Sequence, residues 1–130
     1  MQTLLPAGWK RPRGYANGVV ARGRQIHVSG MIGWDGQEQF HSDDFAAQAA
    51  QALRNIVEVL ACADAGPRHI VRMTWYVLDK REYLAALPAI GQAFRELIGN
   101  YDIAMTAVQV AALIEDRARV EIEATAVLPD

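Results

Sequence analysis

Two apolar-alternating runs, Met105 to Leu113 and Arg119 to Val127, flank the charged turn Glu115-Asp116-Arg117 and constrain this chain more than any other feature. Alternation with a period of two marks a strand that is half-buried on one face. In the second run Val120, Ile122, Ala124 and Ala126 share one face, and Glu121 and Glu123 share the other. A carboxylate in the middle of a β-branched strand must be hydrated, paired or kept for chemistry. The short turn predicts that the two runs form a hairpin.

The remaining elements follow from the same patterning. Val19-Val20-Ala21 and Gln25 to Gly30, joined through Arg22-Gly23-Arg24, predict a second hairpin with Gly23 in its turn. Ser42-Asp43-Asp44 reads as a hydroxyl cap followed by acids, opening a helix. Phe45, Ala49, Leu53, Ile56, Val57 and Leu60 form its apolar stripe, and Gly66-Pro67 stops it. Ile70 to Leu78 is a strand. A second helical region starts near Arg81, carries Pro88 in a first-turn position and presents Ile90, Phe94, Leu97 and Ile98 before Gly99-Asn100. The order predicts a single α+β domain over residues 1–130, a two-layer sandwich with two helices on one face of a mostly antiparallel sheet.

If the helices cover Ile26, Val28, Val71, Met73, Trp75, Val120 and Ile122, the opposite face carries His27, Ser29, Arg72, Thr74, Tyr76 and Gln109 with the two glutamates. Met31, Trp34 and Met105 flank that face, making it too apolar at its margins for plain solvent and too polar for a monomer core. Such a surface suits subunits packed around an axis.

Composition narrows the function classes. Lys and Arg number 13 against 15 Asp and Glu, a net charge of -2, so no basic stripe argues for nucleic acid. Cys62 is the only cysteine, which excludes an intrachain disulfide; its Ala-rich helical setting predicts a buried, inert thiol. No apolar run reaches membrane-spanning length, the first residues lack a signal-peptide pattern, and a cytoplasmic protein is expected. His27, His41 and His69 lack zinc spacing, Gly30 and Gly33 form no dinucleotide fingerprint, and no serine occupies a nucleophile elbow. No metal or cofactor is expected.

The segment Ala104-Met105-Thr106-Ala107-Val108-Gln109-Val110-Ala111-Ala112-Leu113, followed by Val120-Glu121-Ile122-Glu123-Ala124, resembles the C-terminal signature of the Rid (reactive intermediate deaminase, YjgF-like, RidA-like) family. Gly14 to Val19, His27 to Ile32, Gln48, Leu53, Asn55-Ile56 and Val71 to Asp79 resemble the family's other segments in order and spacing. The resemblance implies a chorismate-mutase-like fold and a homotrimer with small-molecule sites in clefts between subunits. It implies that Tyr15, Ser29 and Glu121 are site residues and that Met105 stands where deaminating members carry an arginine. That arginine grips a substrate carboxylate through its planar fork, and losing such a bond costs about 1.5 to 3 kcal/mol.

Two readings follow. In the first, the chain hydrolyses an imine or enamine without a cofactor. With Met105 in place of the arginine it binds small amino-acid-derived enamines poorly, so the substrate is larger, less dependent on a carboxylate anchor, and derived from aromatic or heterocyclic breakdown. Glu121 orients water, and Tyr15, Ser29, Met31, Trp34, Tyr76, Met105 and Ala107 contact substrate. In the second, it is a non-catalytic trimer that binds a small metabolite. Duller roles remain for each residue: Glu121 paired with Arg72 or Arg119, Ser29 satisfying a strand end, Tyr15 or Trp34 simply packing. Arg13, Arg22 and Arg72 are the candidates to replace the missing cation.

Overall fold

The computed structural model describes residues 1–130. Six strands and three α-helices follow in the order β1 (Gln2–Leu4), β2 (Gly18–Val20), β3 (Arg24–Met31), α1 (Phe45–Ala61), β4 (Ile70–Val77), α2 (Lys80–Ala85), α3 (Leu87–Leu97), β5 (Ala104–Gln109) and β6 (Val120–Leu128). A 3₁₀ turn over Pro67–His69 leads into β4. The main sheet has the order β3-β6-β4-β5, with β4 and β5 parallel and the other pairs antiparallel. The α+β sandwich expected from the sequence is the observed architecture.

Neither expected hairpin forms. The Val19–Ala21 segment pairs through β2 with β1, apart from the main sheet, and not with β3. The two C-terminal runs lie on opposite sides of β4: β5 adds to it in parallel, while β6 inserts between β3 and β4. A turn signal locates a chain reversal but does not choose the partner strand. Here the connection from β5 to β6 crosses the end of β4, where Val110 N–H donates to the Val77 carbonyl and Leu78 N–H donates to that of Arg119. Gly23, at φ +147°, has a different use from the turn expected of it. A Cβ there would collide with the Leu128 carbonyl at the end of β6.

Helix α1 is capped by Asp44, whose carboxylate accepts from Ala47 N–H at 2.9 Å, and not by Ser42, whose hydroxyl instead accepts from Asp44 N–H. Its stripe of Phe45, Ala49, Leu53, Ile56 and Leu60 is fully buried against β3 and β6. The helix ends at Ala61, before the expected Gly66-Pro67 stop, and Asp64 takes a left-handed conformation. The second helical region divides at Ala86 into α2 and α3, with Pro88 in the first turn of α3 as expected. Ile90 and Phe94 of α3 meet Met73, Trp75 and Ile103 in the same core. Each fully buried Leu or Ile contributes about 1.5 to 3 kcal/mol, so these stripes fix the helices on one face of the sheet.

Gln48 is the one fully buried amide. Its Nε2 donates to the carbonyls of Ser42 and Arg117, and its Oε1 accepts from Arg119 N–H, so the α1 start is tied to the entry of β6. Gly33 lies flat against it, where a Cβ would fall 2.5 Å from that of Gln48. Cys62, expected to be buried, is exposed at the C-cap of α1. No helix is long and apolar enough to cross a membrane.

Candidate functional site

The alternation of β6 gives the uncovered face of the sheet its chemistry. Val120, Ile122, Ala124 and Ala126 are buried toward the helices, which sends Glu121 and Glu123 to the opposite side. On β4 the same period places Met73 and Trp75 in the core and leaves Arg72, Thr74 and Tyr76 opposite Thr125, Glu123 and Glu121 of β6. His27, Ser29, Arg72, Thr74, Glu123 and Thr125 line a concavity of about 380 Å³ on this face.

The two glutamates differ. Tyr76 donates its hydroxyl hydrogen bond to Glu123 Oε1 at 2.7 Å, and that bond, with some burial, holds the phenol above its ordinary value of 10.0. Glu121 faces Tyr76 in register but accepts no hydrogen bond and joins no ion pair. Its carboxyl group lies over Gly30, where the β3–β6 register shifts between Val28 and Met31. A bulge of this kind re-aims neighbouring side chains, and the missing Cβ at Gly30 makes room for the carboxylate. The pairing of Glu121 with Arg119 does not form, because Arg119 Nε instead contacts Glu82 Oε1 at 2.5 Å. Gln109, expected on this face, lies on the other side of the sheet, level with the buried Val77, and its Oε1 accepts from Lys80 N–H at the start of α2.

Met105 lies on the other side of the sheet. It is level with Met73 on β4 and lines a mostly apolar cleft of about 270 Å³ with Trp75, Tyr83, Phe94, Arg95 and Tyr101. Burial raises the phenol of Tyr83. Ala107 is two residues along the same exposed edge strand, level with Trp75. Tyr15 belongs to the neighbouring segment, since Ala16 N–H donates to the Ile103 carbonyl and Gly14 borders the Met105 cleft. Tyr15 itself lines a small groove with Arg11, Pro12, Asn17 and Asp102. Met31 and Trp34 sit in a third place, a shallow groove along α1 with Asn55, Val59 and Cys62. Asn55 Nδ2 donates to the Trp34 carbonyl at 2.7 Å, and the indole packs on Phe40 at 5.7 Å between centroids.

Within one chain, then, Ser29, Tyr76 and Glu121 share one face, Tyr15, Met105 and Ala107 the region around β5, and Met31 and Trp34 neither. None of Arg13, Arg22 and Arg72 lines the Met105 cleft; the cation there is Arg95. Sequence reasoning passed over Arg95, Tyr83 and Tyr101. The signal was present in α3, where Gly91 and Arg95 lie one turn apart beside Ile90 and Phe94, but the stripe reads only as core. No cluster of three or more His, Cys, Asp or Glu side chains forms a metal-binding group.

A family model described as Endoribonuclease L-PSP matches residues 10–128, and the chain belongs to this family, that of the YjgF and Rid proteins. It is 32% identical over 105 residues to human 2-iminobutanoate/2-iminopropanoate deaminase, covering 80% of this chain and 73% of that protein. A Yersinia pestis protein of the Rid family, YyfB, has a crystal structure similar to this chain with a TM-score of 0.85 and 32% identity over 98% of both chains. Escherichia coli TdcF, crystallised with bound serine, gives a TM-score of 0.71 at 27% identity over 98% of this chain and 99% of its own.

Proposed function

We propose that this protein hydrolyses imines or enamines derived from amino-acid-like precursors, releasing ammonia without a cofactor. The observation that carries the reading is the state of Glu121: a carboxylate with no partner in its own chain, seated on a glycine bulge beside a second glutamate that a tyrosine already occupies. Deaminase relatives and a serine-bound neighbour of the same fold support an amino-acid-sized substrate.

The chemistry needs only water and a proton shuttle. Glu121 accepts a proton from water as the water oxygen bonds to the C=N carbon, giving a carbinolamine. With the imine entering in its protonated form, that proton then passes to nitrogen. As the C–N bond breaks, the carboxylate takes the hydroxyl proton and hands it to the departing nitrogen, so that a carbonyl compound and ammonium leave; an enamine first takes a proton at carbon to become the imine. A positioned carboxylate contributes about 10² to 10⁴-fold in such transfers. Ser29 supplies a hydroxyl on the same face.

Glu121 and Met105 lie on opposite faces of one sheet, and β5 presents an exposed edge. A site using both requires two copies of the chain, as a homotrimer with clefts between subunits would supply. Around Met105 the aromatic lining suits a body larger than a short aliphatic imine, such as an intermediate of aromatic or heterocyclic breakdown. The same apolar cleft favours the second reading, a trimer that binds a metabolite without turning it over. Imino acids generated in place by an amino-acid oxidase decide between them. Faster ammonia release with the protein present supports hydrolysis, and tight binding without release supports the binding module.

A further inference from the structure

The cleft between α3 and the sheet carries three features that the fold does not use. Gly91 stands in the middle of α3, where glycine costs about 1 kcal/mol relative to alanine. A Cβ built on it meets nothing within 4 Å, so close packing does not explain the choice. Trp75, only 3% exposed, borders the cleft, and its buried indole N–H has no hydrogen-bond partner. Arg95, at the cleft, joins no ion pair, although the chain holds more carboxylates than cations.

We infer that this cleft binds a small aromatic carboxylate, its ring lying among Tyr83, Phe94, Tyr101 and Met105 and its anion held by Arg95. A guanidinium offers a carboxylate two parallel charge-assisted hydrogen bonds, and the thioether of Met105 suits an aromatic face. The volume of about 270 Å³ fits a single ring with a short acidic arm. The space left open by Gly91 keeps room for that ring, and Trp75 closes the cleft on the sheet side. This deepens the reading above by naming a ligand class. It is tested by equilibrium binding, so failure of the hydrolysis and failure of the cleft are read separately.

Phenylacetate and its neutral amide, phenylacetamide, are titrated into the full-length protein by calorimetry. The acid is expected to bind about tenfold or more tightly than the amide, the advantage of a charged hydrogen-bonded pair. Arg95→Gln, a surface change, removes that preference and leaves the amide unaffected. Gly91→Leu fills the cleft and weakens both ligands, with circular dichroism confirming that the variant is folded. Equal affinity for acid and amide, no binding of either, or unchanged affinity in Arg95→Gln overturns the assignment. So does a change in sedimentation mass in place of affinity, which would make the cleft a contact between copies of the chain.

Discussion

The carboxyl group of Glu121 rests on the backbone of Gly30: a Cβ at Gly30 would lie 2.7 Å from Glu121 Cδ and 3.0 Å from its Oε1. The glycine bulge in β3 and the glutamate on β6 are therefore one device, and its position is set from two strands. Gly30→Ala should push the carboxylate aside without touching the helix-side core. On the hydrolytic reading, turnover falls by about tenfold to a hundredfold, the penalty for misplacing a reacting group by an ångström or so. The melting temperature should change little. Steady-state ammonia release and a thermal melt on the same preparation check this.

Arg119 and Glu82 make the tightest ion pair of the chain, at 2.5 Å, and the second oxygen of Glu82 is buried without a partner. Their side chains are 37% and 24% exposed, so solvent weakens the attraction but does not hydrate the orphaned oxygen. Arg119→Met should destabilise the fold by about 1 to 3 kcal/mol, because it strands a half-buried carboxylate. Adding Glu82→Leu should recover most of that loss. Urea denaturation of the two variants and the parent measures both steps.

His69 accepts a hydrogen bond at Nδ1 from Gly66 N–H at 3.0 Å, which only the neutral imidazole can do. Burial first, then the charge of Arg68, lowers its pKa from 6.5. The unfolded chain therefore binds a proton at this position before the folded one does. Stability from this group is complete above about 6.5 and is lost as pH falls through the lower folded value. His69→Gln should flatten that part of the stability profile. The comparison to make is the wild-type and variant melting temperature on the two sides of the window.

The sheet faces were legible because period-two alternation is a local property: β6 needed only its own residues to separate Val120 and Ile122 from Glu121 and Glu123. Strand partners were not legible, since a turn near Gly23 or Glu115 says nothing about which edge is free. Intervening chain decides that, and the α2–α3 crossover carries β5 to the far side of β4. Of the candidate site, Ser29, Tyr76 and Glu121 fell on one face because β3, β4 and β6 are neighbours. Met105 did not join them, because its parity on a parallel strand points it toward α3. Arg95 escaped notice for a simple reason. A lone arginine on an amphipathic helix reads as solvated until the aromatic residues around it are assembled in space.

The central claim concerns one carboxylate, and Glu121→Gln tests it at almost constant shape. The measurement is the rate of ammonia release from an imino acid formed in place, with the variant shown to be folded. A fall of about 10² to 10⁴-fold, the span of positioned acid–base catalysis, is the predicted result. Full turnover in the variant, on a substrate that the parent protein demonstrably deaminates, would contradict it.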